Sequence, residues 1–137
     1  MKETLNVNWT GKMSFSAEID GHTIQVDAKK ESGGDEKGPR PKPLMLLALA
    51  GCTGMDVVSI LEKMKVKLDS FDVDVSAEMT EDHPKVYTHM HIVYKFGGND
   101  LPLDKLEKAI NLSQEKYCGV SAMYRKSFKV THEIKIN

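Results

Sequence analysis

The chain has 137 residues, enough for one domain that buries its own core, and we predict a single domain over residues 1–137. Its 19 basic and 20 acidic residues give a net charge of −1, which favours neither nucleic acid nor an anionic membrane as a partner. Residues 1–12 lack the apolar stretch of a signal peptide, and the apolar run 43–52 is shorter than the roughly 20 residues that span a bilayer. We therefore predict a soluble cytoplasmic protein that does not bind a membrane.

Residues 5–28 alternate between apolar and polar side chains, which is the period of β-strands. Asp20 and Gly21 suit a type I′ hairpin turn, because both central positions of that turn need positive φ. We expect three antiparallel strands here. The next segment, residues 29–42, is rich in glycine, proline and charge, and we predict an exposed, mobile loop of the kind that is often functional.

A long helix is predicted from Pro43, a residue that suits the first turn, to about Lys65. Through Ala50 it is apolar on nearly every side, and after Asp56 it becomes amphipathic. A helix that is apolar all round has to be covered all round. One sheet and one further helix cover only part of it, so we expect a second copy of the chain to cover the rest in a homodimer.

The remaining patterns complete an α+β fold. They predict strands over 71–79 and 86–96, an amphipathic helix from Leu103 to Tyr117, a short helical turn over 120–127 and a closing strand over 128–137. The order is three strands, a long helix, two strands, two helices and one strand.

The two cysteines, Cys52 in the long helix and Cys118 far downstream, are the main candidates for chemistry. A permanent disulfide is not expected in a reducing compartment, which leaves two buried hydrophobes or a reactive pair. Cys52 lies too far into its helix for the helix dipole to activate it, so a reactive thiol needs a nearby cation. A thiolate beside arginine attacks peroxide oxygen, and the resulting sulfenic acid is resolved by a second thiol. The candidate cations are Arg40, Lys42, Arg125 and Lys126. The alternative reading is ordinary solvated surface, which is where most Arg and Lys side chains near helix ends lie.

Two further groups have weaker functional signals. His89 and His91 share one side of a predicted strand, as a metal-binding pair would. They alternate with apolar residues, which puts them on the polar face, and we predict neither a metal nor a cofactor. Asp56, one helical turn after Cys52, either orients a partner or is a polar residue where the helix changes face.

Two segments together resemble the superfamily of osmotically inducible protein C (OsmC) and organic hydroperoxide resistance (Ohr) proteins. They are PKPLMLLALAGCTGMDVVSIL and SQEKYCGVSAMYRKSFKVTHEIKI, and the interval of 66 residues between the cysteines also fits. The resemblance implies an OsmC-like fold with antiparallel sheets around a long buried central helix, in an intertwined homodimer with sites at the subunit interface. It also implies reduction of organic hydroperoxides in oxidative stress defence, with Cys52 as the peroxidatic and Cys118 as the resolving cysteine. Thiols or lipoylated proteins supply the electrons.

One position departs from the pattern of the superfamily. Its peroxidase members carry a glutamate soon after the proline that precedes the cysteine helix, and this glutamate holds an arginine over the thiolate. Here Pro41 is followed by Lys42 and Pro43, and the only arginine before the cysteine is Arg40. Either Arg40 and Lys42 replace the arginine–glutamate pair, or the chain is a divergent branch.

Two functions follow as alternatives. The first is a thiol peroxidase that uses Cys52, Cys118 and Arg40. The second is a non-peroxidase binding protein of the same fold, with an apolar pocket at the dimer interface for a small ligand. A purely structural role for both cysteines is a third reading.

Overall fold

Three antiparallel strands form a sheet in the first of two compact units, residues 1–45, of the computed structural model, which describes residues 1–137. The strands are β1 (Asn8–Gly11), β2 (Ser14–Ile19) and β3 (His22–Val26), paired in the order β1-β2-β3. Asp20 and Gly21 have φ values of 51° and 80°, which confirms the predicted turn between β2 and β3.

The segment after β3 is folded around one buried carboxylate. Asp27 is 3% exposed, and its carboxylate accepts hydrogen bonds from the backbone N–H groups of Ala28, Asp35 and Lys37 at 2.7, 3.3 and 3.1 Å. The bond from Lys37 is the largest of the effects that hold the pKa of Asp27 below its ordinary value. The backbone passes so close to Ala28 that a Cβ at Gly34 would lie 2.0 Å from the Ala28 carbonyl oxygen. The predicted loop therefore follows a defined path, with one 3₁₀ turn at Lys30–Ser32.

The long helix, α1, runs from Leu44 to Lys63. Its buried residues recur every fourth position, at Leu49, Thr53, Val57 and Leu61. The other apolar sides are open: Leu47 is 65% and Met55 76% exposed. Within one chain, only a single stripe of α1 is thus covered. The homodimer stays a prediction, and the exposed apolar side chains of α1 are the physical reason for it. By length and composition alone α1 could cross a membrane, but core helices of soluble proteins pass the same test.

The second unit, residues 46–137, is built on a sheet with β5 in its centre. The strands are β4 (Ser70–Met79), β5 (Tyr87–Gly97) and β6 (Lys129–Ile136). β4 pairs antiparallel with β5, but β6 pairs parallel with it, which corrects the expectation of purely antiparallel sheets. A helical connection separates β5 from β6, and such crossovers allow a parallel return. The inward face of β5 is fully buried and consists of Met90, Ile92, Tyr94 and Phe96.

The predicted helix from Leu103 to Tyr117 is divided in the structure. The α-helical part, α2, covers Leu103–Leu112, and a π-helical turn covers Ser113–Tyr117. The turn is closed by the Cys118 N–H, which donates to the Ser113 carbonyl at 2.7 Å. A short helix, α3 (Gly119–Arg125), follows directly. The α+β class and the predicted order of elements are confirmed, and Cys118 lies at the joint between the π turn and α3.

Candidate functional site

The two cysteines meet although 66 residues separate them in the chain. Cys52 is half-buried on α1, and Cys118 is 2% exposed at the amino-terminal cap of α3. Their two sulfur atoms and a carboxylate oxygen of Asp56 all lie within 4.8 Å of one another. Both thiols are free. The structure therefore brings together two of the three predicted site residues and adds a carboxylate to them.

The surroundings of Cys118 keep its thiol protonated. The pKa of Cys118 is raised to about 11, mainly by burial and in smaller part by the neighbouring Cys52 thiol and Asp56 carboxylate. The Ser121 backbone N–H donates to the Cys118 sulfur at 3.4 Å, which works in the opposite direction. At neutral pH Cys118 is consequently a thiol and not a thiolate.

Asp56 is placed by helix geometry and held by a hydrogen bond. It follows Cys52 by four residues, so the two side chains share one face of α1. The Ser113 hydroxyl donates to Asp56 Oδ2 at 2.9 Å. A carboxylate oxygen of Asp56 lies within 4.8 Å of both sulfur atoms, so Asp56 is placed where it could orient a partner.

A chain of buried hydroxyl groups leads to that carboxylate. Thr53 Oγ1 lies 2.7 Å from both the Tyr94 hydroxyl and the Ser113 hydroxyl. A hydroxyl has one proton, and that of Ser113 is committed to Asp56. Thr53 therefore donates to Ser113, and Tyr94 in turn donates to Thr53. Each hydroxyl in this series of hydrogen bonds therefore donates to the next group toward Asp56, in the order Tyr94, Thr53, Ser113.

Gln114 connects the same chain to a cation. Its Nε2 donates to the Tyr94 hydroxyl at 2.8 Å and to Thr53 at 3.2 Å. Its Oε1 accepts from the Ser121 hydroxyl and from Arg125 at 3.3 Å, and Arg125 also donates to Ser121 at 2.8 Å. Arg125, one of the candidate cations, is thus bound within the polar network. No buried side-chain nitrogen or oxygen in the structure lacks a partner.

Two cavities are lined in part by residues of α1. One, of about 460 Å³, is lined by Asp56, Ile60, Lys63, Lys108 and Tyr117 among others. The other, of about 450 Å³, is a more apolar groove on the adjoining side of α1, and its lining includes Gly51, Gly54, Met55, Val58 and Phe71. The Asp56 carboxylate links the first cavity to the dithiol, and the second offers an apolar surface one residue from Cys52.

The other predicted candidates lie elsewhere. Arg40 is exposed in the first compact unit, where it lines a cavity of about 550 Å³ with Phe15, Asp27 and Lys42. His89 Nε2 and His91 Nδ1 both lie 2.7 Å from the Thr131 hydroxyl. These two ring nitrogens therefore share one hydroxyl as hydrogen-bond partner. The two histidines do not form a cluster of three metal ligands.

Sequence reasoning did not single out the polar network. Its members occupy positions that the helical period assigns to the core: Thr53 falls between buried Leu49 and Val57, and Ser113 follows buried Ala109. A hydroxyl or amide at a core position needs a hydrogen-bond partner. Polar residues at predicted core positions are therefore the signal that could have revealed the network.

Comparisons with known proteins agree with this architecture. The family model for OsmC-like protein matches residues 33–133. Protein YhfA of Escherichia coli (strain K12) is 34% identical over 131 residues, which cover 95% of each chain. The crystal structure of a hypothetical protein from Aquifex aeolicus VF5 superposes with a TM-score of 0.83 at 29% identity, covering 100% of this chain and 98% of that one. The organic hydroperoxide resistance protein OhrB of Bacillus subtilis superposes with a TM-score of 0.67 over 97% of this chain and 98% of its own, and at 17% identity it shows likeness of fold alone.

Proposed function

The chain belongs to the OsmC-like protein family, and we propose that it is a thiol-dependent peroxidase that reduces organic hydroperoxides as part of oxidative stress defence. The observation that carries the proposal is the contact between the dithiol and a carboxylate, with Cys52, Cys118 and Asp56 within 4.8 Å of one another. Two neighbouring thiols can give two electrons to a peroxide, because they become one disulfide when they are oxidised.

Cys52 is the proposed peroxidatic residue because it is the more exposed of the two cysteines. Its sulfur attacks the terminal oxygen of the hydroperoxide, the O–O bond breaks, and the products are the Cys52 sulfenic acid and an alcohol. Asp56 takes the thiol proton and passes it to the departing alkoxide oxygen, which leaves as the alcohol. The Ser113 hydroxyl, which donates to Asp56 Oδ2 at 2.9 Å, keeps the carboxylate oriented for this step.

Cys118 is the proposed resolving residue. It attacks the sulfenic sulfur of Cys52, the S–S bond forms, the S–O bond breaks, and water leaves with the Cys118 proton. Because the pKa of Cys118 is raised to about 11, the attack needs a base, and the Asp56 carboxylate is in contact. Two thiol groups of a small thiol or of a lipoylated protein then reduce the disulfide and become a disulfide themselves.

Arg40 is the proposed cation for this reaction, on the resemblance given above. An arginine near the Cys52 sulfur would offset the acidic neighbours and stabilise the thiolate. If Arg40 has this role, Arg40→Gln lowers the rate of Cys52 oxidation without changing the stoichiometry of one disulfide per chain. Unchanged oxidation kinetics in Arg40→Gln would remove Arg40 from the site.

The proposed activity is tested by oxidising the reduced protein with one equivalent of cumene hydroperoxide. We expect loss of both free thiols and a Cys52–Cys118 disulfide in the peptide mass spectrum. Cys52→Ser abolishes peroxide consumption, whereas Cys118→Ser gives a single turnover that ends at a Cys52 sulfenic acid. Persistence of both thiols after prolonged exposure, or equal consumption by Cys52→Ser, would refute the peroxidase proposal.

The role of Asp56 has a separate test with a matched control. Asp56→Asn keeps the shape but removes the base, and loss of such a group slows proton transfer by about 10²–10⁴-fold. Asp82→Asn alters an exposed carboxylate in the loop between β4 and β5 and leaves the rate unchanged. Equal rates in the two variants would show that Asp56 takes no part in the reaction.

The assembly we propose is a homodimer in the cytoplasm that covers the open side of α1. Leu47, Met55 and Val58 are 65%, 76% and 46% exposed in the single chain, and such a run of apolar side chains on one helix is typical of an interface. The apolar groove of about 450 Å³ on this helix would then lie near the subunit boundary.

The groove also supports the second candidate function, a binding protein for a small apolar ligand. Its lining of glycine, methionine, valine and phenylalanine suits an adaptable hydrophobic pocket. If the thiols survive cumene hydroperoxide, and a lipophilic fluorescent probe still binds to a Cys52→Ser/Cys118→Ser double variant, the binding function takes precedence over the peroxidase.

A further inference from the structure

The same three donor atoms that surround the dithiol form a set that a metal ion can use. Cys52 and Asp56 project from one face of α1, and Cys118 approaches from the joint between the π turn and α3. The two sulfur atoms and the carboxylate oxygen lie within 4.8 Å of one another. Adjacent donors in a tetrahedral zinc site lie about 3.5–3.8 Å apart, as bond lengths of about 2.0–2.3 Å require. Small side-chain rotations therefore suffice to place all three around one ion.

The chemistry of the donors selects the class of ion. Two thiolates and one carboxylate form a soft, anionic set that suits Zn²⁺, whereas Mg²⁺ and Ca²⁺ prefer oxygen donors alone. We propose that the reduced protein binds one thiophilic divalent cation, Zn²⁺ in the first instance, through Cys52 Sγ, Cys118 Sγ and a carboxylate oxygen of Asp56. Binding releases the two thiol protons to solvent as the two sulfur–metal bonds form.

Groups outside the donor set already orient it. The Ser113 hydroxyl donates to Asp56 Oδ2 at 2.9 Å, which holds the orientation of the carboxylate. The Ser121 backbone N–H donates to the Cys118 sulfur at 3.4 Å, a contact that stabilises a metal-bound thiolate. Such outer contacts fix ligand orientation in known metal sites. Ser113 is itself held by Thr53 at 2.7 Å, so the carboxylate is fixed by the buried network.

The charge of the cluster favours a cation. Two thiolates and a carboxylate with their donor atoms within 4.8 Å of one another repel one another. A divalent cation removes that repulsion, because it supplies two positive charges at the centre of the three groups. The three donors leave the fourth position of a tetrahedral site to water or another small ligand.

Metal binding and peroxide reduction are independent claims about the same thiols. Metal binding requires only reduced thiols, and its test does not depend on any turnover of hydroperoxide. A metal-bound dithiol would be protected from oxidation, whereas an oxidised dithiol has no thiolates left to bind the ion. Peroxide consumption is therefore measured in the presence of a chelator, and metal binding in the absence of peroxide.

Cobalt is the probe, because Co²⁺ substitutes for Zn²⁺ and is coloured. Titration of the reduced, full-length protein with Co²⁺ is expected to give a thiolate-to-cobalt charge-transfer band in the near ultraviolet and intense tetrahedral bands in the visible, saturating at one ion per chain. Zn²⁺ should displace the Co²⁺. Absence of the thiolate band at saturating Co²⁺ overturns the proposal, and binding without that band means an adventitious histidine site and overturns it equally.

Variants identify the ligands. Cys52→Ser and Cys118→Ser should each abolish the charge-transfer band or halve its intensity with loss of affinity, and Asp82→Asn should leave the titration unchanged. Asp56→Asn is expected to weaken binding by about tenfold or more, and Ser113→Ala by about 10–100-fold. Circular dichroism checks that each variant is folded; should a cysteine variant fail to fold, Asp56→Asn and Ser113→Ala still decide. Affinity unchanged in Asp56→Asn would overturn the three-donor assignment.

Discussion

Replacement of Thr53 by valine should destabilise the protein, because Thr53 is the centre of the buried hydroxyl chain. Valine keeps the shape of threonine but has no oxygen. Thr53 Oγ1 is fully buried, accepts from Tyr94 at 2.7 Å and from Gln114 at 3.2 Å, and donates to Ser113 at 2.7 Å. Its loss leaves two buried donors, the Tyr94 O–H and one Gln114 N–H, without their acceptor.

The expected cost follows from those two donors. An unsatisfied buried donor costs about 1–3 kcal/mol, and the two are coupled, so we expect Thr53→Val to lower the free energy of unfolding by about 2–4 kcal/mol. Thr53→Ser is the matched control, because it keeps the hydroxyl and loses one methyl group. Removal of a buried methyl costs about 0.5–1.5 kcal/mol. The valine variant should therefore be the less stable of the two, although it fills the space better.

The assay is urea unfolding of the reduced protein followed by far-ultraviolet circular dichroism. Protein concentration is held constant, because a dimer would make stability depend on it. The slope of the transition should be the same for the variants, so that midpoints can be compared directly. If Thr53→Val is as stable as Thr53→Ser or more stable, the hydroxyl chain does not contribute as inferred, and its assigned direction toward Asp56 loses its support.

Four further predictions concern protonation and assembly. In Cys52→Ser, near-ultraviolet thiolate absorbance should show the Cys118 thiol titrating above 9.0, the value of an unperturbed thiol, because burial is the largest cause of its raised pKa; a midpoint at or below 9.0 would contradict this. The pKa of Cys118 in the folded wild-type protein is about 11, so its contribution to stability is complete below pH 9.0 and is lost as the pH rises from 9.0 toward 11. In alkaline unfolding measurements, Cys118→Ser should reduce the slope of the free energy of unfolding against pH. Asp27 has a lowered pKa, so its contribution is present above 3.8 and is lost as the pH falls below that value; Asp27→Asn should flatten the acid side of the stability profile, and an unchanged profile would mean that the carboxylate does not hold its loop. Replacement of Leu47 and Met55 by aspartate should shift the sedimentation coefficient from dimer to monomer, whereas a wild-type protein that sediments as a monomer would exclude the proposed assembly.

Hydrophobic periodicity predicted most of the fold because it reflects which side chains the core removes from water. The alternation at Val86, Met90, Ile92, Tyr94 and Phe96 predicted the buried face of β5. The last four are fully buried, whereas Val86 is 50% exposed and precedes the strand. The parallel pairing of β6 with β5 was not predictable in this way, because periodicity gives the faces of a strand and not its direction or its neighbour. The π turn was missed for a related reason: a single additional residue per turn leaves almost no mark on a helical pattern.

The candidate site was predictable in its sulfur atoms and not in its surroundings. Cysteines are few and chemically distinct, so Cys52 and Cys118 stood out at once. Asp56 could be placed on the same helix face as Cys52, but its contact with Cys118 depends on tertiary packing across residues far apart in the chain. The path of the segment that carries Arg40 depends on hydrogen bonds to one buried carboxylate, Asp27, which no pattern in the sequence indicates.

The carboxylate beside the dithiol explains why the two proposals share a site. A half-buried acid near two thiols disfavours thiolates in the free protein, and a thiol has to lose its proton before it attacks a peroxide or binds a metal. A cation supplied by the chain lowers that cost for one thiol and favours attack on a hydroperoxide. A divalent metal lowers it for both thiols at once and binds them. The same acidic cluster therefore acts differently according to which positive charge reaches it, and the reduced protein should consume peroxide fastest when chelators keep thiophilic metals away.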